Sequence, residues 1–465
     1  MNKLALSAVA LLVLALLALP RFVGSLTEAR VRERVAAIDA SPTTAAQVTS
    51  FDRGWFRSTA RIELRFVPDN VAGLADVAGG FDAARTLPVA LDFAHGPIAV
   101  LDGVHFGWSK MIARPDTMAP GVTELQQTLG VPYLFEFRGR TSYAGALDFD
   151  ADAPPFELPI EEAVLTFSGA MLDGTFAARQ LDARAQIGAV QFTSPTGTFA
   201  VRGVYASADN ELRSDYVMPG VASFTIQSIS VIDTAQGATP VFDAANLKAS
   251  SDVSLDPSGE LLEMRVAYDV DSVRVQENEI TGAAIGLTLR NIDVAALEAY
   301  SATATDAASN GDPAQLMAAL GPHLERALKA GPSMTLDPIR FRYDDEPFEG
   351  RIEVTTNTAR LPPAGTLAID NPLLMLGLVN TDANVRVSKP LAATLAVLAA
   401  RQQLGSDDSI PQDQLDYMAE AQSGLMLTMM IGQGVLVEDG DGYRTELKFR
   451  DGAMTLNGNP LPFGL

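Results

Sequence analysis

His95, His105 and His323 are the only histidines in the sequence, and there is no cysteine. Thiolate nucleophiles, disulfides and cysteine-ligated metals are therefore excluded together. His95 and His105 lie in the stretch AHGPIAVLDGVHFGW, with Asp92, Asp102 and Ser109 close in sequence. Those are the residue types of a nucleophile, a base and an acid, which act only when they meet at hydrogen-bonding distance. The simpler reading of His95-Gly96-Pro97 is a turn whose imidazole bonds to backbone. Beyond the histidines the sequence contains no Gly-x-Ser-x-Gly elbow, His-Glu-x-x-His pair or phosphate-cradling glycine loop. Asp439-Gly440-Asp441-Gly442 has the acidic, glycine-bent character of a calcium loop. The twelfth position from Asp439 is Arg450, where an EF-hand needs a bidentate glutamate. That stretch reads as a hairpin turn. The expectation is a protein without catalytic residues, cofactor or metal.

A second stretch that invites a chemical reading is SFDRGWFRSTARIELRF, residues 50–66. Arg53, Gly54, Trp55 and Phe56 place a cation, a flexible backbone position and two rings side by side, with no catalytic partner near them. From there the side chains alternate. Phe56, Ala60, Ile62, Leu64 and Phe66 fall on one face, and Arg57, Thr59, Arg61, Glu63 and Arg65 on the other. This is the pattern of a half-buried strand. Gly54 is then expected to be the bend or bulge where the chain leaves a stalk and enters a sheet.

Composition sets what must position these residues. A formal net charge of −23 excludes a general nucleic-acid binder, which needs a basic face for the phosphates. Such a body is repelled by anionic headgroups unless it is tethered. Residues 4–19 supply a tether: they are apolar or small, interrupted by Ser7 and preceded by Lys3. At about 1.5 Å per residue the run spans roughly 24 Å, and continuing to Val23 with Arg21 snorkelling brings it to about 30 Å. The alternative is a cleaved signal segment, but no Ala-x-Ala exit follows the run. The expected organisation is a transmembrane anchor over residues 1–24 and a short amphipathic stalk helix over 25–42. Val31, Val35 and Ile38 take helical spacing in that stalk.

From residue 43 to 465 the expectation is one mainly β (α+β) body, an extended antiparallel meander with helical insertions. YLFEFRGRTSYAGALDFD pairs two alternating runs across a glycine turn, and AVLTFSGAMLDGTFAARQ pairs two more around Asp173-Gly174. Further turns are expected at Pro257-Ser258-Gly259 and near Glu277-Asn278. Helices are expected near 293–330 and 389–431. In the last of them Met418, Met426, Met429 and Met430 are expected as core filler.

The order of several short motifs is similar to that of a known family. The N-terminal apolar segment, DRGWFRS at 52–58, HGP at 95–97, LKASSDVSLDPSGELLEMRVAYDVDSVRVQ at 247–276 and the closing YRTELKFRDGAMTLNGNPL carry the likeness. On these the chain resembles the YdgA-like family of bacterial envelope proteins. Arg53, Gly54, Phe56 and Ser58 match its Arg-Gly-apolar-Phe-x-Ser pattern, and His95, Gly96 and Pro97 its His-Gly-Pro. The resemblance implies a single-pass inner-membrane anchor with the body in the periplasm. It implies no reaction, so these seven residues are expected to be structural. The functional expectation is a non-enzymatic envelope protein that shelters lipid or another apolar ligand along a sheet face. The alternative is a scaffold that binds protein, including a second copy of itself as a homodimer.

Overall fold

The structure is a computed structural model that describes residues 23–33, 44–66, 86–214, 216–234, 239–310, 323–363, 377–404 and 412–461, with a few positions between 35 and 39. The apolar run at 4–19 lies outside the described residues, as do residues 67–85 and most of the expected helix before His323. Among the described residues no helix is long and apolar enough to cross a membrane. The chain is mainly β and falls into two compact units, Met1–Asp209 and Asn210–Leu465.

In the first unit the strands are β1 (Thr44–Arg53), β2 (Arg57–Phe66), β3 (Thr86–His95), β4 (Ile98–Val100), β5 (Val104–Phe106), β6 (Ser109–Pro115), β7 (Glu136–Thr141) and β8 (Leu147–Ala153). After them come β9 (Phe156–Ile160), β10 (Ala163–Phe167), β11 (Ala170–Ala177), β12 (Gln180–Ser194) and β13 (Gly197–Glu211). Helix α1 occupies residues 23–33 and α2 is Pro120–Leu129. Antiparallel pairing runs β1–β2–β3–β6–β7–β8–β11–β12. β8 with β9, and β10 with β11, are each one long strand interrupted once. Ala153 faces Ala170, and Phe156 faces Phe167 in the same register. The core lies under β1–β3: Ala60, Ile62, Val89, Leu91 and Phe93 are buried together with Val35. The opposite face carries charge ladders, with Arg138 reaching Glu136 and Asp150, and Arg140 reaching Asp150 at 2.8 Å.

Four expectations change here. The residues after the apolar run do not stand off as a stalk, because Val31 and Val35 pack into the sheet core. The sheet begins at Thr44, so Gly54 is not its entry point but lies in the turn joining β1 to β2. The inward face of β2 begins with Ser58, whereas Phe56 is exposed. Asp173-Gly174 lie inside β11, and the turn falls at Ala178-Arg179, both at positive φ. A Cβ on Gly174 would stand 2.5 Å from the Phe149 ring, so that glycine makes room for a cross-strand aromatic.

In the second unit the strands are β14 (Gly220–Asp233), β15 (Thr239–Leu255), β16 (Leu261–Val275), β17 (Asn278–Asp293), β18 (Ser333–Tyr343) and β19 (Glu346–Thr356). They continue with β20 (Val379–Ser388), β21 (Val437–Asp439), β22 (Gly442–Arg450), β23 (Ala453–Leu456) and β24 (Asn459–Leu461). Pairing is antiparallel from β14 in order to β20, then β22 and β23. Helix α3 is Val294–Asn310, α4 covers 323–329, α5 is Lys389–Leu404 and α6 is Gln412–Gly432. The turns expected at Pro257-Ser258-Gly259 and at Asp439–Gly442 form, and the one near Glu277 closes on Gln276-Glu277. The α5–α6 contact is built from small residues: Ala392, Ala396 and Ala400 are buried, as are Ala419 and Ser423. That close packing leaves part of the methionine stripe outside: Met418 and Met429 are exposed beside Tyr417 and Leu425, against the core role expected of them, while Met426 and Met430 are half-buried.

Gly54 supplies a test of the β1–β2 turn. A Cβ there would lie 2.3 Å from the Arg57 carbonyl oxygen, a backbone atom that cannot swing aside. Gly54→Val is expected to cost about 2 kcal/mol or more, a lowered melting temperature in calorimetry. An unchanged transition would mean the turn is not held as described.

Candidate functional site

The seven motif residues converge on one end of the first sheet, where α1, the β1–β2 turn and the end of β3 meet. β2 and β3 pair in a register that sets Ser58 opposite Phe93 and Arg57 opposite Ala94. The His95 backbone N–H donates to the Phe56 carbonyl at 2.8 Å, and the Gly96 N–H to the Trp108 carbonyl at 3.1 Å. The Tyr143 hydroxyl donates to the Pro97 carbonyl, and Arg57 Nη2 donates to the Val100 carbonyl at 2.8 Å. Arg53 reaches Glu28 of α1 at 3.6 Å.

At the centre, His95 Nε2 lies 2.9 Å from Ser58 Oγ, with the two residues 0% and 2% exposed. The Phe93 ring stacks on the imidazole at 6.2 Å. Gly24 of α1 closes the other side: a Cβ there would come to 3.4 Å from the ring and 3.7 Å from Ser58 Oγ. The imidazole is therefore not bonded to backbone as the turn reading expected. His95 ends a strand, and its partner is a serine thirty-seven residues earlier. The signal for this was present, since Ser58 is the polar residue on the inward phase of an otherwise apolar strand face.

A serine–histidine contact is the geometry of a nucleophile and its base, so its chemistry needs deciding. Nδ1 of His95 is buried and has no hydrogen-bond partner among the described residues. A triad instead places a carboxylate there to orient the ring. Leaving a lone pair bare costs less than leaving a buried N–H bare, so the favoured tautomer carries its proton on Nε2 and donates to Ser58 Oγ. In that tautomer the histidine does not accept the serine proton, and the contact works as a clamp between strands. The other imagined partners stand elsewhere. His105 Nε2 lies 3.2 Å from the Thr141 carbonyl, and Ser109 Oγ bonds Thr141 Oγ1 at 3.2 Å. No group of three or more metal-ligating side chains occurs among the described residues.

The second unit contains a different feature, an apolar ladder that crosses strands residue by residue. Phe224 pairs with Ala249, Ala249 with Tyr268, Tyr268 with Ile285 and Ile285 with Ile339. Directly opposed residues share a face, so these side chains form one row. A neighbouring row runs through Val266, Leu287, Leu336, Ile352, Ala383 and Leu447. Among the described residues, helices cover this face in two places. Val294 and Leu297 of α3 pack on Val253, Leu262 and Met264. Leu391 and Ala392 of α5, with Leu427 of α6, pack on Phe341, Phe348, Val387 and Tyr443. Between the two patches Phe224, Tyr268 and Ile285 remain 42–55% exposed.

Burial holds the His95 imidazole down to about 4, from an ordinary value of 6.5. The unfolded chain therefore binds this proton near pH 6.5 and the native chain only near 4. Stability from this group is full above pH 6.5 and lost as pH falls through that window, by up to about 3 kcal/mol. His95→Gln, which keeps a donor toward Ser58 and does not titrate, is expected to flatten this part of a stability-versus-pH curve followed by urea unfolding. An equally steep fall in the variant would assign the dependence to other groups.

No curated protein and no solved structure matches this chain. A family model described as "Bacterial protein of unknown function (DUF945)" matches residues 1–463. With that match spanning almost its whole length, the chain belongs to the DUF945 family of bacterial proteins.

Proposed function

We propose that this is a membrane-anchored envelope protein of the YdgA-like kind that shelters a lipid acyl chain, or an apolar ligand of similar shape, along the open sheet face of its second unit. In this reading residues 1–24 hold it in the inner membrane and the body lies in the periplasm. Its role is non-enzymatic, and the Ser58–His95 pair serves the fold. The observation that carries the reading is the row Phe224–Ala249–Tyr268–Ile285, apolar and open between two helix-covered patches. Large apolar side chains aligned across four strands are costly to leave in water, at roughly 25 cal/mol per Å². An acyl chain laid across the strands removes that cost without needing any polar complement.

A second reading has its own support. Tyr417, Met418, Leu425 and Met429 form an exposed apolar stripe on α6. Methionine-rich faces adapt to varied protein partners, which fits a scaffold or a homodimer.

The test compares full-length protein with Ile285→Glu, both purified from membranes in mild detergent, with phospholipid quantified by mass spectrometry. Lipid is expected in stoichiometric amount with the native chain and several-fold less with the variant, at unchanged circular dichroism. Equal lipid in both would remove the sheet face as the binding site. A stable dimer or a stoichiometric protein partner on light scattering, with lipid unaffected by Ile285→Glu, would favour the scaffold.

A further inference from the structure

The β4–β5 hairpin beside the motif residues has a face that stays exposed among the described residues. Ile98 pairs with Phe106 and Val100 with Val104. All four are 51–67% exposed, while Ala99 between them is buried. A two-stranded hairpin is marginal by itself, and this one is tied to the sheet from below. Arg57 Nη2 donates to the Val100 carbonyl at 2.8 Å, and Lys110 Nζ to the Asp102 carbonyl at 2.5 Å. Trp55 and Phe56 are exposed in the adjoining β1–β2 turn, and so is Tyr143, whose hydroxyl bonds Pro97 just before β4. The result is four aliphatic and aromatic side chains on a rigid face, with aromatic residues around it.

What covers this face follows from where the N-terminal segment ends. The apolar run stops at Leu19, and Gly24 already touches His95 and Ser58. Five residues reach at most about 18 Å when fully extended. Whatever holds residues 4–19 therefore holds His95, and β4 three residues beyond it, close to the same surface. Charge at this end agrees. Arg53, Arg57 and Lys110 offset Glu28, Asp52 and Asp102, in a chain whose net charge is −23. This end is spared the repulsion that keeps the rest of the body from an anionic membrane. Exposed tryptophan, tyrosine and phenylalanine beside aliphatics make a composition suited to the headgroup–acyl boundary.

We propose that the β4–β5 hairpin inserts its Ile98, Val100, Val104 and Phe106 face into the lipid interface next to the anchor, fixing the first unit against the bilayer. This rests on the anchor of the proposed function and is independent of any ligand in the second unit. The absence of cysteine gives a clean experiment. Full-length Val104→Cys, and separately Phe106→Cys, carry an environment-sensitive fluorophore in phosphatidylcholine–phosphatidylglycerol vesicles, with Arg184→Cys, whose side chain on β12 is 71% exposed, as control. Vesicle flotation reports the anchor, and quenching by phosphatidylcholine bearing a shallow doxyl group reports the hairpin. The expected result is flotation with most of the emission lost at Val104 and Phe106 and little at Arg184. Flotation with unquenched hairpin labels would overturn the insertion and leave the anchor standing. Emission shifted to the blue but unquenched would mean a protein surface, such as a second copy, covers the hairpin, and would overturn it also. Failure to float would overturn the anchor and the insertion together.

Discussion

A strand shows alternate side chains to opposite faces, and in this protein nearly everything depends on what covers the apolar one. In the first unit Val31 of α1 and Val35 just beyond it cover part of β1–β3, and Ala60, Ile62 and Phe93 become core. In the second unit the strands run 10–17 residues from β14 to β20, longer than α3 and the α5–α6 pair together can roof. Phe224, Tyr268 and Ile285 stay exposed between them, and the function proposed here is built on that row.

In the function proposed above, the Ser58–His95 contact is a case of chemistry-bearing residues used for construction. Both side chains face inward because the two-residue period puts them there, and each is polar in an apolar layer. Pairing them satisfies one atom of each and leaves Nδ1 bare, at a cost that a neutral imidazole keeps small. Gly24 then allows α1 to approach the pair closely, so a single contact fastens β2, β3 and the helix that follows the N-terminal segment. The motif Arg-Gly-apolar-Phe-x-Ser and the motif His-Gly-Pro are thus two halves of one junction.

Much of this was legible in the chain. The strands around Pro257-Ser258-Gly259, the α3 start after Asp293 and the α5–α6 pair follow from period, turn residues and capping. Other parts were not. The turn at Ala178-Arg179 carries neither asparagine nor glycine, while Asp173-Gly174 looks like a turn and is a glycine making room for Phe149. The strand Thr44–Arg53 hid because a bulge between Val48 and Ser50 breaks its alternation. Met418 and Met429 misled because alanines on α5 and α6 claimed the contact, and close packing of small side chains leaves these long ones outside. Ser58 was readable as an inward polar residue, but its partner lies across a strand pairing that local pattern does not encode.

The most direct measurement of the central claim uses that same alternation. A photo-crosslinking amino acid placed at Tyr268 lies on the apolar row. One placed at Lys248, the cross-strand partner of Asp269, projects from the opposite face. Irradiated in cells and analysed by mass spectrometry, the Tyr268 position is predicted to give phospholipid adducts and the Lys248 position none. Adducts at neither position, or equally at both, would contradict the account.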